Sequence, residues 1–239
     1  MAIPVPPPTP LRSVLLGRAV PYTRPGTRSG IDKKPLEGPV RVTPNGLAGD
    51  EQGDPRVHGG PDKAVHQYAW EHYAAWRREL PGRSALEQPG AFGENLSTLG
   101  WTERNICLGD VVTVGSTLLE VSQARQPCWK LNDRFAEPAM ARQVQSTGRT
   151  GWYYRVLSEG ELRRGDRMAI VERPWPDWPL SRLLGVLFDR VLDPVLLEAA
   201  AALPLPPSWL KLLRRRIETA AVEHWGKRLD GPPVDGAAP

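Results

Sequence analysis

The sequence predicts a β-rich body, a barrel or strongly bent sheet with flanking helices, followed by a small three-helix appendage. Three observations predict it. From residue 106 onward, short runs of Val, Ile, Leu and Thr are broken by glycine-containing turns. The run Arg173-Pro174-Trp175-Pro176-Asp177-Trp178-Pro179 then marks a stiff break in composition. Beyond it the apolar residues change to helical spacing. A chain of 239 residues is long enough for a normal core and an appendage. Its 26 prolines and 23 glycines are spread along the whole length, as in a loop-rich folded body.

Residues 1–10 are proline-rich and read as a disordered tail. Residues 11–20 read as the first strand, and 21–39 as a long loop carrying Arg24, Arg28, Lys33 and Lys34. A short strand over 40–43 ends at Pro44-Asn45-Gly46, a turn signal. Residues 49–62 are dense in Gly, Asp and Pro; such segments seldom form regular structure and often bring their backbone close to a ligand. A strand is expected over 64–68. A helix follows over 71–80, with Tyr73, Ala74, Arg77 and Leu80 at helical spacing, and Pro81-Gly82 stops it. Residues 90–96 form another loop. Strands are expected over 111–114, 117–121, 151–157 and 167–171. The body therefore covers 11–172, a linker 173–180, and a three-helix domain 181–228. Its helices are placed over 181–189, 195–202 behind the cap Asp193-Pro194, and 209–225 behind Ser208. Residues 229–239 read as a second disordered tail.

Composition narrows the function. The net charge of +4 is mild and not gathered into one patch with interleaved aromatics, which argues against a nucleic-acid polymer as partner. It suits an anionic small molecule or an acidic protein equally well. Two cysteines make neither a disulfide scaffold nor a four-cysteine metal centre. No apolar run reaches the ~20 residues of a membrane span. The N-terminal residues lack a basic region followed by an apolar one, so a soluble cytoplasmic protein is expected.

Chemistry is expected around Arg125-Gln126-Pro127-Cys128-Trp129-Lys130. A thiol reacts or binds metal as the thiolate, and the neighbouring Arg125 and Lys130 favour that form. A free cysteine is otherwise a buried, inert side chain, and Cys107, between Ile106 and Leu108, reads that way. His58-Gly59-Gly60 is a loop whose backbone N–H groups can face an anion, with Lys63 and His66 close behind. Lys33, Lys63 and Arg125 are the candidate cations for a phosphate; each is otherwise a solvated surface charge. His66 also reads as a hydrogen-bonded structural histidine; His72 reads as a surface or core-edge residue of the helix, and His224 as structural. Glu94 and Asn95 sit in a glycine-bounded loop, either carrying a proton and donating to a ligand oxygen or simply turning the chain. Asn132 is placed to orient the cysteine loop. Asp50 and Asp54 lack the pattern of a calcium loop and read as turn-formers. Arg214-Arg215-Arg216 with Lys211 reads as a solvated helix face or a dock for an acidic electron donor.

Five segments carry a family resemblance. They are Ser29-Gly30-Ile31-Asp32-Lys33, residues 46–54, residues 58–66 from His58-Gly59-Gly60 onward, Pro89-Gly90-Ala91-Phe92-Gly93-Glu94-Asn95-Leu96, and residues 121–132 around Cys128. Residues 148–157 fit as well. In this order and spacing the chain resembles the MOSC domain, named for the C-terminal domain of molybdenum-cofactor sulfurases, and within it the stand-alone bacterial YiiM group. The resemblance covers about residues 11–172, and the C-terminal stretch is similar to the three-helix domain of that branch. It implies a mixed β-barrel of the MOSC type. It implies a molybdenum–pterin cofactor with Cys128 as the thiolate on molybdenum; Lys33, His58, Gly59, Gly60, Lys63, His66, Arg125, Gln126 and Asn132 are the residues expected to bind such a cofactor. It also implies two-electron reduction of N-hydroxylated compounds such as hydroxylamino purines. The rival expectation is a non-catalytic carrier that hands on the cofactor or sulfur from Cys128. The chain has no Rossmann glycine fingerprint and too few cysteines for an iron–sulfur cluster, so electrons are expected from a separate flavin-containing reductase.

Overall fold

A computed structural model describes residues 2–233. Its main sheet has nine strands. In spatial order they are Thr9–Pro10, Arg167–Glu172, Val111–Val114, Thr117–Ala124, Trp152–Ser158, Val65–Ala69, Leu96–Thr98, Ser13–Leu16 and Lys34–Pro35. Val65–Ala69 and Leu96–Thr98 run parallel; the other neighbours are antiparallel. The pairings thus give a mixed sheet, with no pair joining its two ends among the described residues. The turn at Pro44-Asn45-Gly46 joins Val40–Thr43 to Gly46–Leu47 in a separate three-stranded sheet.

The expected first strand, 11–20, is interrupted: Ser13–Leu16 is a strand and Val20–Pro21 pairs elsewhere. Gly17 lies between them because a Cβ there would stand 2.6 Å from the Gly30 carbonyl oxygen. Thr117–Ala124 runs three residues past its expected end and delivers its last residues beside the Cys128 loop. The helix expected over 71–80 is Glu71–Glu79. Within the β-rich body three short α-helices lie where the sequence predicts none: Pro55–His58, Lys130–Phe135 and Met140–Thr147. A single turn or two of helix leaves little periodicity to read.

The C-terminal helices are Leu180–Phe188, Pro194–Ala201 and Pro207–Thr219. The third stops six residues short of expectation, where Ala220 adopts φ 47°. Arg216 is the reason the chain turns back: its guanidinium donates to the Val186 and Leu187 carbonyls at 2.9 and 2.8 Å and pairs with Glu223 at 2.8 Å. The basic run is therefore not wholly a solvated face, since Arg216 is 1% exposed.

Neither end behaves as a free tail within the described residues. Ile3 N–H donates to the Pro176 carbonyl, Trp101 Nε1 donates to the Pro7 carbonyl, and Arg173 reaches the Pro4 carbonyl. A proline run cannot donate, but its carbonyls accept, and here they do. At the other end, Gly226–Asp230 is helical and Leu229 is buried. Residues 234–239 of the expected tail, and Met1, lie outside the described residues. No helix is long and apolar enough to cross a membrane among the described residues. One apolar core joins the sheet to the three helices, through residues such as Val112, Leu119, Leu183, Leu187, Leu197 and Leu213. A second, aromatic core of Tyr68, Tyr73, Trp76, Phe92 and Phe135 lies behind the cysteine loop.

Candidate active site

Cys128 sits between a strand and a helix. The strand Thr117–Ala124 ends, Arg125 N–H donates to the Gly151 carbonyl at 3.0 Å, and Lys130–Phe135 begins two residues after the thiol. Proline at 127 ends the ladder because it has no N–H to give. The Cys128 Sγ lies 3.5 Å from His58 Nε2, carried by the short helix Pro55–His58. Burial alone pushes this thiol up. The His58 contact and charge, the Arg125 guanidinium and the Lys130 backbone N–H more than offset it and bring the pKa down to about 6. At neutral pH the site therefore holds a thiolate.

The sulfur opens into a cleft with an empty volume of ≈ 550 Å³. Segments 29–33 and 50–53 form one wall, and 92–95 with Tyr153 and Arg125 the other. The first wall depends on glycine: a Cβ on Gly30 would stand 2.1 Å from the Glu51 carbonyl oxygen. Lys33 and Asp50 form a buried ion pair. Asp50 also accepts from Gly17 N–H at 2.8 Å and from Asn95 Nδ2 at 2.9 Å. Asn95 in turn accepts from His66 N–H at 3.1 Å and donates to the Leu15 carbonyl at 3.2 Å. Its amide thus braces the Lys33–Asp50 pair from the neighbouring strands.

The charge of the cleft is one-sided. Asp50 neutralises Lys33, whereas Lys63 Nζ donates to the Val57 carbonyl at 2.5 Å and Lys130 Nζ to the Arg28 carbonyl at 2.6 Å. Arg125 is buried, and its Nη1, like His58 Nδ1, has no hydrogen-bond partner among the described residues. An unpaired buried donor costs about 1–3 kcal/mol. A bound anion with acceptor oxygens removes that cost. Burial and the Arg125 charge hold His66 well below the usual histidine range, so its ring is neutral at pH 7. Among the described residues no three His, Cys, Asp or Glu side chains converge to hold a metal ion.

Lys33, His58, Lys63, His66, Asn95, Arg125 and Cys128 thus come together in one cleft. Gly59, Gly60 and Gln126 line an adjoining cavity that shares His58 and Cys128. Two of the expected site residues face elsewhere. Glu94 is fully buried against the aromatic core and accepts from Tyr73 OH at 2.5 Å, Gly90 N–H at 2.7 Å and Phe92 N–H at 3.1 Å. It holds its loop in shape; burial raises its pKa despite those bonds. Asn132 donates to the Leu229 carbonyl at 2.8 Å and accepts from Ala141 N–H at 2.7 Å, tying the C-terminal segment and the next helix to the cysteine loop. Sequence reading passed over Asp50 and Tyr153. Asp50 looked like a turn-former because its partners lie far away in sequence. Tyr153 looked like an ordinary strand residue, and its alternation with the buried Trp152 and Tyr154 was the available signal.

The MOSC domain family model matches residues 54–169, and the YiiM-like, 3-alpha helix domain model matches residues 178–220. The chain is 38% identical over 210 residues to the protein YiiM of Escherichia coli strain K12, covering 86% of this chain and 92% of that one. It is also 38% identical over 219 residues to a protein named "Reductase" from Gibberella moniliformis. That match takes in 89% of this chain but spans 39% of the fungal protein's length. The crystal structure of YiiM from Escherichia coli superposes with a TM-score of 0.79 at 31% identity, covering 94% of this chain and 99% of that one.

Proposed function

The chain belongs to the MOSC-domain family, in the branch with a YiiM-like three-helix domain, and on that premise we propose that it reduces N-hydroxylated compounds at a molybdenum–pterin cofactor held by Cys128. In this reading the nine-stranded sheet is the wall of a MOSC-type barrel. The observation that carries it is the Cys128 sulfur 3.5 Å from His58 Nε2, at the edge of a cleft with surplus positive charge and unpaired buried donors. That donor set fits the group: a soft thiolate for molybdenum, cations for the phosphate end of the pterin.

When bound, the cofactor supplies an electron pair and a Lewis-acidic centre for N–O cleavage. The net reaction takes two electrons and two protons to give amine and water. Cys128 holds the metal, and His58 Nε2 orients the sulfur. Arg125 and Lys63 bind the phosphate end. Lys33 is held in register by Asp50 and Asn95. Lys63 Nζ, whose pKa is lowered by burial, carries an N–H proton at the cleft. Electrons come from a separate flavin-containing reductase.

The test uses protein from a cofactor-competent host. Elemental analysis should give close to one molybdenum per chain. Cys128→Ala should lose both the metal and the reduction of a hydroxylamino purine driven by a chemical reductant. Unchanged molybdenum and turnover in that variant would overturn the assignment.

A further inference from the structure

Cys128 also borders a second, outer cavity with an empty volume of ≈ 1680 Å³. It lies between segments 26–28 and 53–58 and the C-terminal residues from 224 to 232. Its charges are lopsided: Arg28, Lys130, Lys227 and Arg228 line it, with Asp54 as the facing carboxylate. Outside the two cavities, buried arginine side chains pair with carboxylates, as Arg24 does with Asp133, Arg173 with Asp110 and Arg216 with Glu223. Here the bonds go to neutral oxygens. Lys130 Nζ donates to the Arg28 carbonyl at 2.6 Å. Arg28 donates to the Ala19 carbonyl. Arg228 donates to the Pro127 carbonyl at 2.5 Å and to Gln145 Oε1 at 2.6 Å. Lys130 is 7% exposed, and among the described residues its Nζ hydrogen-bonds a carbonyl, that of Arg28, with the Asp54 charge nearby.

We infer that the outer cavity binds the phosphate of a phosphorylated substrate, a nucleotide whose N-hydroxylated base reaches Cys128. The inner cleft has Lys33, Lys63 and Arg125 for the cofactor and shares Lys130 with the outer cavity, whereas Arg28, Lys227 and Arg228 line the outer cavity and not the cleft. The outer set is therefore left for a second anion. A phosphate monoester matches it, because guanidinium and ammonium groups bind phosphate oxygens by charge-assisted hydrogen bonds. The concave shape and the buried Lys130 suit a small anion better than the broad face of an acidic protein. Trp129 gives the same cavity an apolar wall. The inference rests on the reductase reading for the fate of the base, and on the charge of the cavity for the phosphate.

Titration calorimetry with adenosine 5′-monophosphate, adenosine and inorganic phosphate tests it. The monophosphate should bind at least about tenfold more tightly than adenosine. Added salt should weaken it, and the double variant Arg28→Gln/Lys227→Gln should lose the preference. Equal binding of nucleotide and nucleoside, a preference unchanged in the double variant, or inorganic phosphate binding as tightly as the nucleotide each overturns the inference. So does displacement of the nucleotide by a polyglutamate peptide at lower concentration. None of these probes carries an N–OH group. A failed titration therefore leaves the reduction at Cys128 standing, and a failed reduction leaves the titration standing.

Discussion

Cys107 and Cys128 are both buried, yet burial and Asp110 push the Cys107 thiol up to about 12, while His58, Arg125 and the Lys130 N–H bring Cys128 down to about 6. Iodoacetamide on cofactor-free protein at pH 7 should therefore label Cys128 and spare Cys107, as peptide mass mapping would show. The labelling rate should rise with a midpoint near pH 6, because the thiolate forms above that pH and is lost below it. His58→Gln should move the midpoint upward; an unmoved midpoint would remove His58 from the account. The Lys33–Asp50 pair gives a second expectation. Asp50→Ala leaves a buried ammonium without its carboxylate and frees Gly17 N–H and Asn95 Nδ2. The expected loss is about 3–5 kcal/mol, read from urea denaturation. At this scale the sequence disclosed the residues whose chemistry is distinctive: Cys128, His58, Lys33, Arg125. It hid the roles that depend on distant partners. Glu94 is turned inward by Tyr73, 21 residues away, and Asp50 takes its meaning from Asn95, 45 residues away. A carboxylate in a glycine-rich loop looks the same in sequence whether it faces a ligand or a tyrosine.

Strands bounded by glycine turns were legible because alternation and turn chemistry are local, as Val111–Val114 and Thr117–Ala124 illustrate. The segment 224–232 was not, because nothing in a polar stretch of Gly, Lys, Arg and Asp foretells what it lies against. It lies against the cysteine loop. Trp129 N–H donates to the Arg228 carbonyl at 2.8 Å, and Asn132 holds the Leu229 carbonyl. Arg24 stacks 4.3 Å over the Trp129 ring, pairs with Asp133 and donates to the Asp230 and Pro232 carbonyls. Gly231 fits beneath that ring with φ +72°; a Cβ there would stand 2.4 Å from the Trp129 Cγ. These bonds make the C-terminal segment a strap that fixes the loop bearing Cys128. Arg24→Gln should loosen it, and the Trp129 amide should then exchange with deuterium at least about tenfold faster while amides of Val65–Ala69 keep their rates. Gly231→Ala should do the same through strain and overlap. Equal exchange at Trp129 in both variants would mean that the strap merely rests on the loop.

The three C-terminal helices are continuous with the body through one apolar core, and the segment 173–180 fastens them to it. Arg173 bonds both oxygens of the buried Asp110 at 2.8 and 2.7 Å. Leu180 N–H donates to the Ile106 carbonyl at 2.8 Å, and Ser181 N–H to the Glu103 carbonyl at 2.7 Å. Trp178 is buried. A proline-rich segment reads as a joint in sequence, but Trp178 is apolar surface that folding buries, while Trp175 stays exposed. Helices that share a core with the sheet do not unfold on their own, since exposing Leu183, Leu187 and Leu213 also uncovers the sheet face they cover. Calorimetry should therefore show one thermal transition for the whole chain. Arg173→Met, which leaves Asp110 buried without its cation, should lower that transition as a unit and cost about 3–5 kcal/mol. If the helices were an independent module, the same substitution would split the trace into two peaks, with the upper one unmoved. A single displaced peak is the expected outcome, because the apolar core that the three helices share with the sheet opens as one unit.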